Sequence, residues 1–121
     1  MKDGVEQSGH SFLAYFKRAT SPMAVLRLLA EKPMYGYELT QAMKQRSAGA
    51  YTISVLYPVI YRLEEQGYVE VVQNEIVGGR ARSYYGITAA GRDYLEKTWK
   101  EYREIEGVFH HLMEGGGDDA P

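Results

Sequence analysis

Two segments of the 121-residue chain carry hydroxyl, aromatic and guanidinium groups at spacings suited to contacts with phosphates and base edges. The first is a predicted helix from about Ser54 to Gln66. At 100° per residue its apolar residues fall on one side, and the opposite side carries Ser54, Pro58, Tyr61 and Glu65, flanked by Tyr57 and Arg62. These groups suit a helix that lies in a major groove. An ordinary solvated face would show the same spacing, so the spacing alone leaves both interpretations open.

The second segment is a predicted hairpin tip around Gly78-Gly79. Arg80 and Arg82 follow the glycines, and residues two apart on a strand share a face, so both guanidinium groups can project together. No acidic residue is near them in the sequence from Ile76 to Gly91. An arginine pair on such a tip suits contact with the phosphate backbone or the minor groove. A solubilising charged loop would have the same composition.

The elements that must position these residues follow from the apolar periodicity. Helices are predicted at His10–Arg18, from Pro22 to about Glu31 after a Thr20-Ser21-Pro22 start signal, at Gly36–Arg46 and at Ser54–Gln66. Strands are predicted at Tyr68–Glu75 and Ser83–Ile87, joined by a turn over Ile76–Arg82, and Thr88 caps a helix that continues to about Met113. This order predicts a mainly α (α+β) winged helix-turn-helix fold at residues 10–88, followed by a C-terminal dimerisation helix at 89–113. Residues 1–9 and 114–121 are expected to be disordered tails.

Composition excludes several functional classes. The chain has no cysteine, which excludes disulfide scaffolds, thiolate metal sites and thiol nucleophiles. The longest apolar run, Met23–Leu26, is too short for a membrane span, and the N-terminus lacks a secretory signal, so a cytoplasmic location is expected. His110, His111 and Glu106 do not share one helix face, and no phosphate loop or catalytic cluster is present. We therefore expect no metal, no cofactor and no enzymatic activity.

The net charge of −2 is unevenly distributed. Residues 92–121 contain four basic and eight acidic residues, whereas residues 1–91 contain ten basic and eight acidic ones. A phosphate backbone responds to the charge within a Debye length of about 8–10 Å, so a basic face is compatible with an acidic protein.

Three motif blocks resemble the PadR family of transcriptional regulators, in order and at family spacing: the run from Leu28 to Leu39 (LLAEKPMYGYEL), the run from Ser54 to Val69 (SVLYPVIYRLEEQGYV), and the run from Gly78 to Gly91 (GGRARSYYGITAAG). The resemblance implies a homodimeric winged-helix repressor that binds an inverted-repeat operator. It also implies that Tyr57, Pro58 and the wing arginines lie at or near DNA, and we include Tyr84 of the wing block with them. Ser83 and Gly86 replace residues that are usually basic or polar in the family, which makes this wing less positive.

The final helix carries an apolar stripe that a small domain cannot cover by itself. A second copy of the chain is the simplest partner for this stripe. The predicted dimer interface consists of Phe12, Phe16, Leu95, Trp99, Tyr102, Ile105, Phe109 and Leu112. Some small members of the PadR family bind flat aromatic compounds between these helices, so the resemblance makes Trp99 and Tyr102 candidates for an effector pocket. The alternative is that both side chains only fill the dimer core.

A function of a different class fits the same composition. The pI of about 5.9 and the 11 tyrosines are compatible with a winged-helix module that binds another protein through its aromatic side chains. Such a module would bind duplex DNA only at very low salt and without sequence preference. A sequence-specific regulator would bind a two-fold symmetric duplex with strong dependence on salt.

Overall fold

The computed structural model describes residues 10–52 and 56–115, which form four helices and three strands. The helices are α1 (Phe12–Leu29), α2 (Gly36–Arg46), α3 (Leu56–Glu65) and α4 (Ala89–Met113). The strands are β1 (Met34–Tyr35), β2 (Val69–Val77) and β3 (Arg80–Ile87). The predicted winged-helix order is confirmed. The predicted tails lie outside the described residues, apart from Glu114 and Gly115, which follow α4.

Helix α1 is continuous, so the predicted break between two helices at Thr20-Ser21-Pro22 is wrong. Pro22 lies inside the helix and supplies no amide hydrogen to the preceding turn. The Thr20 and Ser21 hydroxyls do not cap a new helix. They donate to carbonyls one turn earlier, at 2.7 and 2.5 Å, and so supply hydrogen bonds in the turn that Pro22 weakens. The fully buried residues Val25 and Leu26 follow directly and hold the second half of α1 in the core.

The sheet is antiparallel with strand order β1-β3-β2. The two-residue strand β1 was not predicted, and it pairs Met34 with Tyr85 and Tyr35 with Tyr84. The wing loop is shorter than the predicted turn over Ile76–Arg82, because pairing between β2 and β3 continues to the last residues before Gly78-Gly79. Both glycines have positive φ angles, 60° and 79°, as the favoured two-residue hairpin turn requires.

The core lies where α1, α2 and α3 meet the inner face of the sheet. Its buried residues come from all three helices and from the strands: Val25, Leu26, Leu28, Leu29, Met34, Leu39, Met43, Leu56, Ile60, Leu63, Val69 and Tyr85. Helix α4 starts at the end of β3 and contributes Tyr94 and Leu95 to the edge of this core. The rest of α4 extends away from it, and most of its apolar side chains are exposed. Within the described ranges no helix is long and apolar enough to cross a bilayer.

Candidate nucleic-acid interface

Helix α3 has the two faces that the sequence predicts. Leu56, Ile60 and Leu63 are buried, and Val59 packs against the same core. The opposite side presents five exposed side chains: Tyr57, Pro58, Tyr61, Arg62 and Glu65. Tyr57 is 45% and Tyr61 55% accessible to solvent. The rings of Tyr57 and Tyr61 lie 5.8 Å apart. Ser54, the remaining predicted contact on this helix, lies outside the described residues.

Tyr57 also packs against the start of α2. A Cβ atom added to Gly36 would lie 2.6 Å from Cζ of Tyr57, and closer still to its hydroxyl oxygen. Any side chain at position 36 would therefore displace the Tyr57 ring. Gly36 therefore allows a close approach of α2 to α3, and the group that approaches it is a tyrosine of the exposed α3 face.

The wing arginines occupy different environments. Arg80 is exposed beside the Gly78-Gly79 turn, opposite Val77. Arg82 is partly buried, and its guanidinium carbon lies 4.0 Å from the centre of the Tyr35 ring, within the range of a cation–π contact. The pKa of Arg82 is raised, first because its guanidinium is hydrogen-bonded to Tyr84 and further by its interactions with Tyr35.

Arg82 belongs to a set of four side chains at the base of the wing, here called the wing-base cluster: Tyr35, Glu75, Arg82 and Tyr84. The rings of Tyr35 and Tyr84 meet edge to face at 5.3 Å, and the Tyr84 hydroxyl donates to Oε2 of Glu75 at 3.1 Å. Glu75 is the pairing partner of Arg82 across the hairpin. The sequence from Ile76 to Gly91 contains no acidic residue, but the tight hairpin places Glu75 of β2 opposite Arg82 of β3, so the arginines are not without an acidic neighbour.

A family model described as the transcriptional regulator PadR-like family matches residues 25–97. The chain belongs to this family. Over 92 residues it is 34% identical to a transcriptional regulator of Mycobacterium tuberculosis, covering 74% of this chain and 82% of the relative.

Solved structures agree with that assignment. A transcriptional regulator from Clostridium thermocellum aligns with a TM-score of 0.72 and 28% identity, covering 78% of this chain and 94% of that one. A PadR family regulator from Eggerthella lenta aligns with a TM-score of 0.64 and 30% identity, covering 97% and 93% of the two chains. The protein is a PadR-family transcriptional regulator with a winged-helix DNA-binding fold, and PadR-family regulators are not enzymes.

The apolar stripe on α4 of this PadR protein is only partly covered within the chain. Phe16 of α1 meets Tyr102 of α4 edge to face, with ring centres 6.4 Å apart, and Leu95 and Tyr102 are half-buried. The other predicted interface residues are exposed by half or more of their surface: Phe12, Trp99, Ile105, Phe109 and Leu112.

A cavity of about 790 Å³ lies between α1 and α4. Trp99 and Tyr102 line it and stack on each other, with ring centres 5.7 Å apart and planes 13° from parallel. The other apolar side chains that line the cavity include Phe16, Met23 and Leu95. Its charged lining residues are Arg27, Arg92 and Glu96. Tyr51, which sequence reasoning did not single out, also lines the cavity, and its hydroxyl lies 2.5 Å from that of Thr20 on α1.

The histidines near the end of α4 do not form a metal cluster with their neighbours. His110 lies 3.9 Å from carboxylate oxygens of both Glu106 and Glu114, and its side chain is exposed. Within residues 10–52 and 56–115, no group of three or more histidine, aspartate and glutamate side chains is arranged to hold a metal ion.

Proposed function

We propose that this protein is a homodimeric repressor that binds an inverted-repeat operator through α3 and the wing. The observation that carries the proposal is the outer face of α3, which presents Tyr57, Pro58, Tyr61 and Arg62 beside one another while the opposite face is locked in the core. Guanidinium and phenol groups on an exposed helix suit phosphates and base edges in a major groove. Ser54, which lies outside the described residues, is included in the proposed contact set on the sequence alone.

The wing extends the proposed DNA-binding surface. Arg80 stands exposed next to a two-glycine turn, so its guanidinium can approach the DNA backbone without obstruction from neighbouring side chains. Arg82 and Tyr84 lie on the same strand face as Arg80, nearer the base of the hairpin. The wing thus contributes a positive tip beside the major-groove helix.

The dimer in this proposal forms through α4 and the N-terminal part of α1. Ile105, Phe109 and Leu112 expose 57–69% of their surface at three- and four-residue spacings on one side of α4. A contiguous apolar stripe of this length is costly in water, and an identical stripe on a second copy covers it. Ile105→Glu should convert the dimer to a monomer in sedimentation experiments, whereas Glu104→Gln, on the polar side, should not.

Selection from a random duplex pool at about 0.15 M salt tests the DNA-binding proposal. We expect an enriched inverted repeat with half-sites about one helical turn apart. Arg62→Ala should weaken binding to that duplex by about 1–3 kcal/mol if the side chain contacts a base. Arg103→Ala, which removes an exposed guanidinium from α4, serves as the matched control and should bind normally. A folded dimer that enriches no sequence would favour the protein-interaction alternative.

We further propose that a small planar aromatic compound binds the cavity between α1 and α4 and releases the operator. The support is the stacked pair Trp99 and Tyr102 in a cavity whose volume lies in the range typical of small-molecule sites. Trp99 is the sole tryptophan, so its fluorescence reports directly on the cavity. Titration with planar aromatic cations and phenolic acids should quench it, and Tyr102→Leu should weaken the response while Phe109→Leu leaves it unchanged. If no compound quenches Trp99, its role is confined to the dimer core.

A further inference from the structure

The two wing arginines differ in what surrounds them, although they share a strand face. Arg80 is exposed at the tip. Arg82 is packed on the Tyr35 ring and is the strand-pairing partner of Glu75, whose carboxylate accepts the Tyr84 hydroxyl. A guanidinium stacked on an aromatic ring has little freedom to follow a phosphate group.

We propose that Arg82 is a positioning residue for DNA binding: its stack on Tyr35 fixes the wing against the start of α2, and phosphate binding by the wing is left to Arg80. This inference rests on the proposed function and assigns different roles to two residues that the sequence pattern treats alike. A phosphate-binding role for Arg82 is the competing explanation.

The local charge favours positioning over phosphate binding. Glu75 lies opposite Arg82 in the strand pairing, well within a Debye length, and its negative charge offsets the guanidinium as seen by an approaching phosphate. Arg80 is paired with the apolar Val77 instead, so its charge is not offset in the same way. The planar guanidinium also suits stacking on an aromatic ring, which a lysine does less well.

Tyr35 connects the Arg82 stack to helix α2. Tyr35 pairs with Tyr84 of the wing and is the residue immediately before Gly36, the first residue of α2. Gly36 is in turn the residue on which the Tyr57 ring of α3 rests. A short path of contacts therefore joins Arg82 on the wing to Tyr57 on the exposed face of α3, and the Arg82–Tyr35 stack helps to set the placement of the wing relative to that helix.

The test compares affinity and salt dependence of wild-type protein and variants on the enriched duplex, between about 0.05 and 0.2 M salt. Each neutralised phosphate contributes about 0.9 to the slope of log K against log salt concentration. Arg80→Ala should reduce the slope by about this amount, and Arg80→Lys should restore it. Arg82→Ala should weaken binding about tenfold with the slope unchanged, and Arg82→Lys should not restore affinity because lysine keeps the charge but loses the planar stack.

Tyr35 supplies an independent pair of variants that do not touch the charge. Tyr35→Leu removes the ring and should reproduce the Arg82→Ala effect, and the double variant should be no weaker than either single one. Tyr35→Phe keeps the ring and should bind nearly as well as wild type. The proposal is overturned if Arg82→Ala reduces the salt slope as Arg80→Ala does, or if Arg82→Lys restores full affinity.

Amide hydrogen exchange on the DNA-free protein separates this inference from the proposed function. Arg82→Ala and Tyr35→Leu should accelerate exchange in β2 and β3, while Arg80→Ala should not. Unchanged exchange in Arg82→Ala would refute the positioning role even if the protein binds DNA. If the wild-type protein enriches no duplex, the proposed function fails, and the exchange rates still decide whether Arg82 orders the wing.

Discussion

Gly91 in the first turn of α4 offers a strict test of the packing between the wing and the last helix. A Cβ atom at this position would lie 2.8 Å from Cγ1 of Ile87 and 3.0 Å from the carbonyl carbon of Tyr68, with the carbonyl oxygen closer still. The obstruction is backbone, which cannot rotate away as a side-chain end can. The Tyr68 carbonyl also accepts the Thr88 amide at 3.1 Å, so displacing it breaks the hydrogen bond at the start of α4.

The expected cost of Gly91→Ala follows from these contacts. Overpacking against a fixed backbone costs about 1–3 kcal/mol, and a lost hydrogen bond costs about 1 kcal/mol more. The higher helix propensity of alanine returns up to about 1 kcal/mol. The free energy of unfolding should therefore fall by about 1–3 kcal/mol. Urea denaturation measures it, at one fixed protein concentration because the stability of a dimer depends on concentration.

Gly107 in the same helix is the matched control. Nothing lies within 4 Å of a Cβ atom added there, so Gly107→Ala should gain helix propensity without a steric cost and raise the unfolding free energy by up to about 1 kcal/mol. The two substitutions are chemically identical and should have opposite signs. If Gly91→Ala is as stable as Gly107→Ala, the packing argument at the junction of β3 and α4 is refuted.

Three further predictions concern the packing of Tyr57 on Gly36, the start of α4 and the ion pair between Glu31 and Arg46. Gly36→Ala should displace the Tyr57 ring and weaken binding to the enriched duplex about fivefold or more. The free energy of unfolding should change by less than about 1 kcal/mol, because the obstructing atoms belong to a movable side chain. Unchanged affinity would show that the position of the ring does not matter for binding. Thr88→Ala removes the hydroxyl that accepts the Gly91 amide and donates to the Gly67 carbonyl, so unfolding free energy should fall by about 1–2 kcal/mol, and Thr88→Ser should recover it. The pKa of Glu31 is lowered, first by its hydrogen bond with Arg46. The stability that the ionised carboxylate contributes is therefore present above its ordinary pKa of 4.5 and is lost as pH falls through the lowered value. In Glu31→Gln the free energy of unfolding should fall less steeply at acid pH, and an unchanged pH profile would contradict this.

Local patterns predicted most of the fold because the decisive residues are close in sequence. The inward spacing of Leu56, Ile60 and Leu63 fixes both the existence of α3 and the face it exposes. Gly78-Gly79 similarly fixes the position of the hairpin turn. These features need no knowledge of the rest of the chain.

The features that sequence reasoning missed depend on contacts between distant residues. Strand β1 has only two residues and exists because it pairs with Tyr84 and Tyr85, which lie some fifty positions later. The Thr20-Ser21-Pro22 start signal does not begin a new helix because the Thr20 and Ser21 hydroxyls donate to carbonyls of the preceding turn, and the helix continues through Pro22. The role of Glu75 emerged only once the hairpin register placed it opposite Arg82, although a two-residue turn assumed from the start would have given that register.

The position of α1 between the cavity and the core has a mechanical consequence for the proposed regulation. Met23, Ala24 and Arg27 line the cavity, whereas Val25 and Leu26 from the same two turns lie fully buried in the core with α3. The wall of the cavity and the residues that support the proposed DNA-binding helix α3 are thus on opposite sides of one helix about 10 Å across. Close-packed interiors transmit displacements instead of absorbing them. A molecule that displaces the cavity side of α1 would therefore also displace Val25 and Leu26, on which α3 packs, without an intervening hinge.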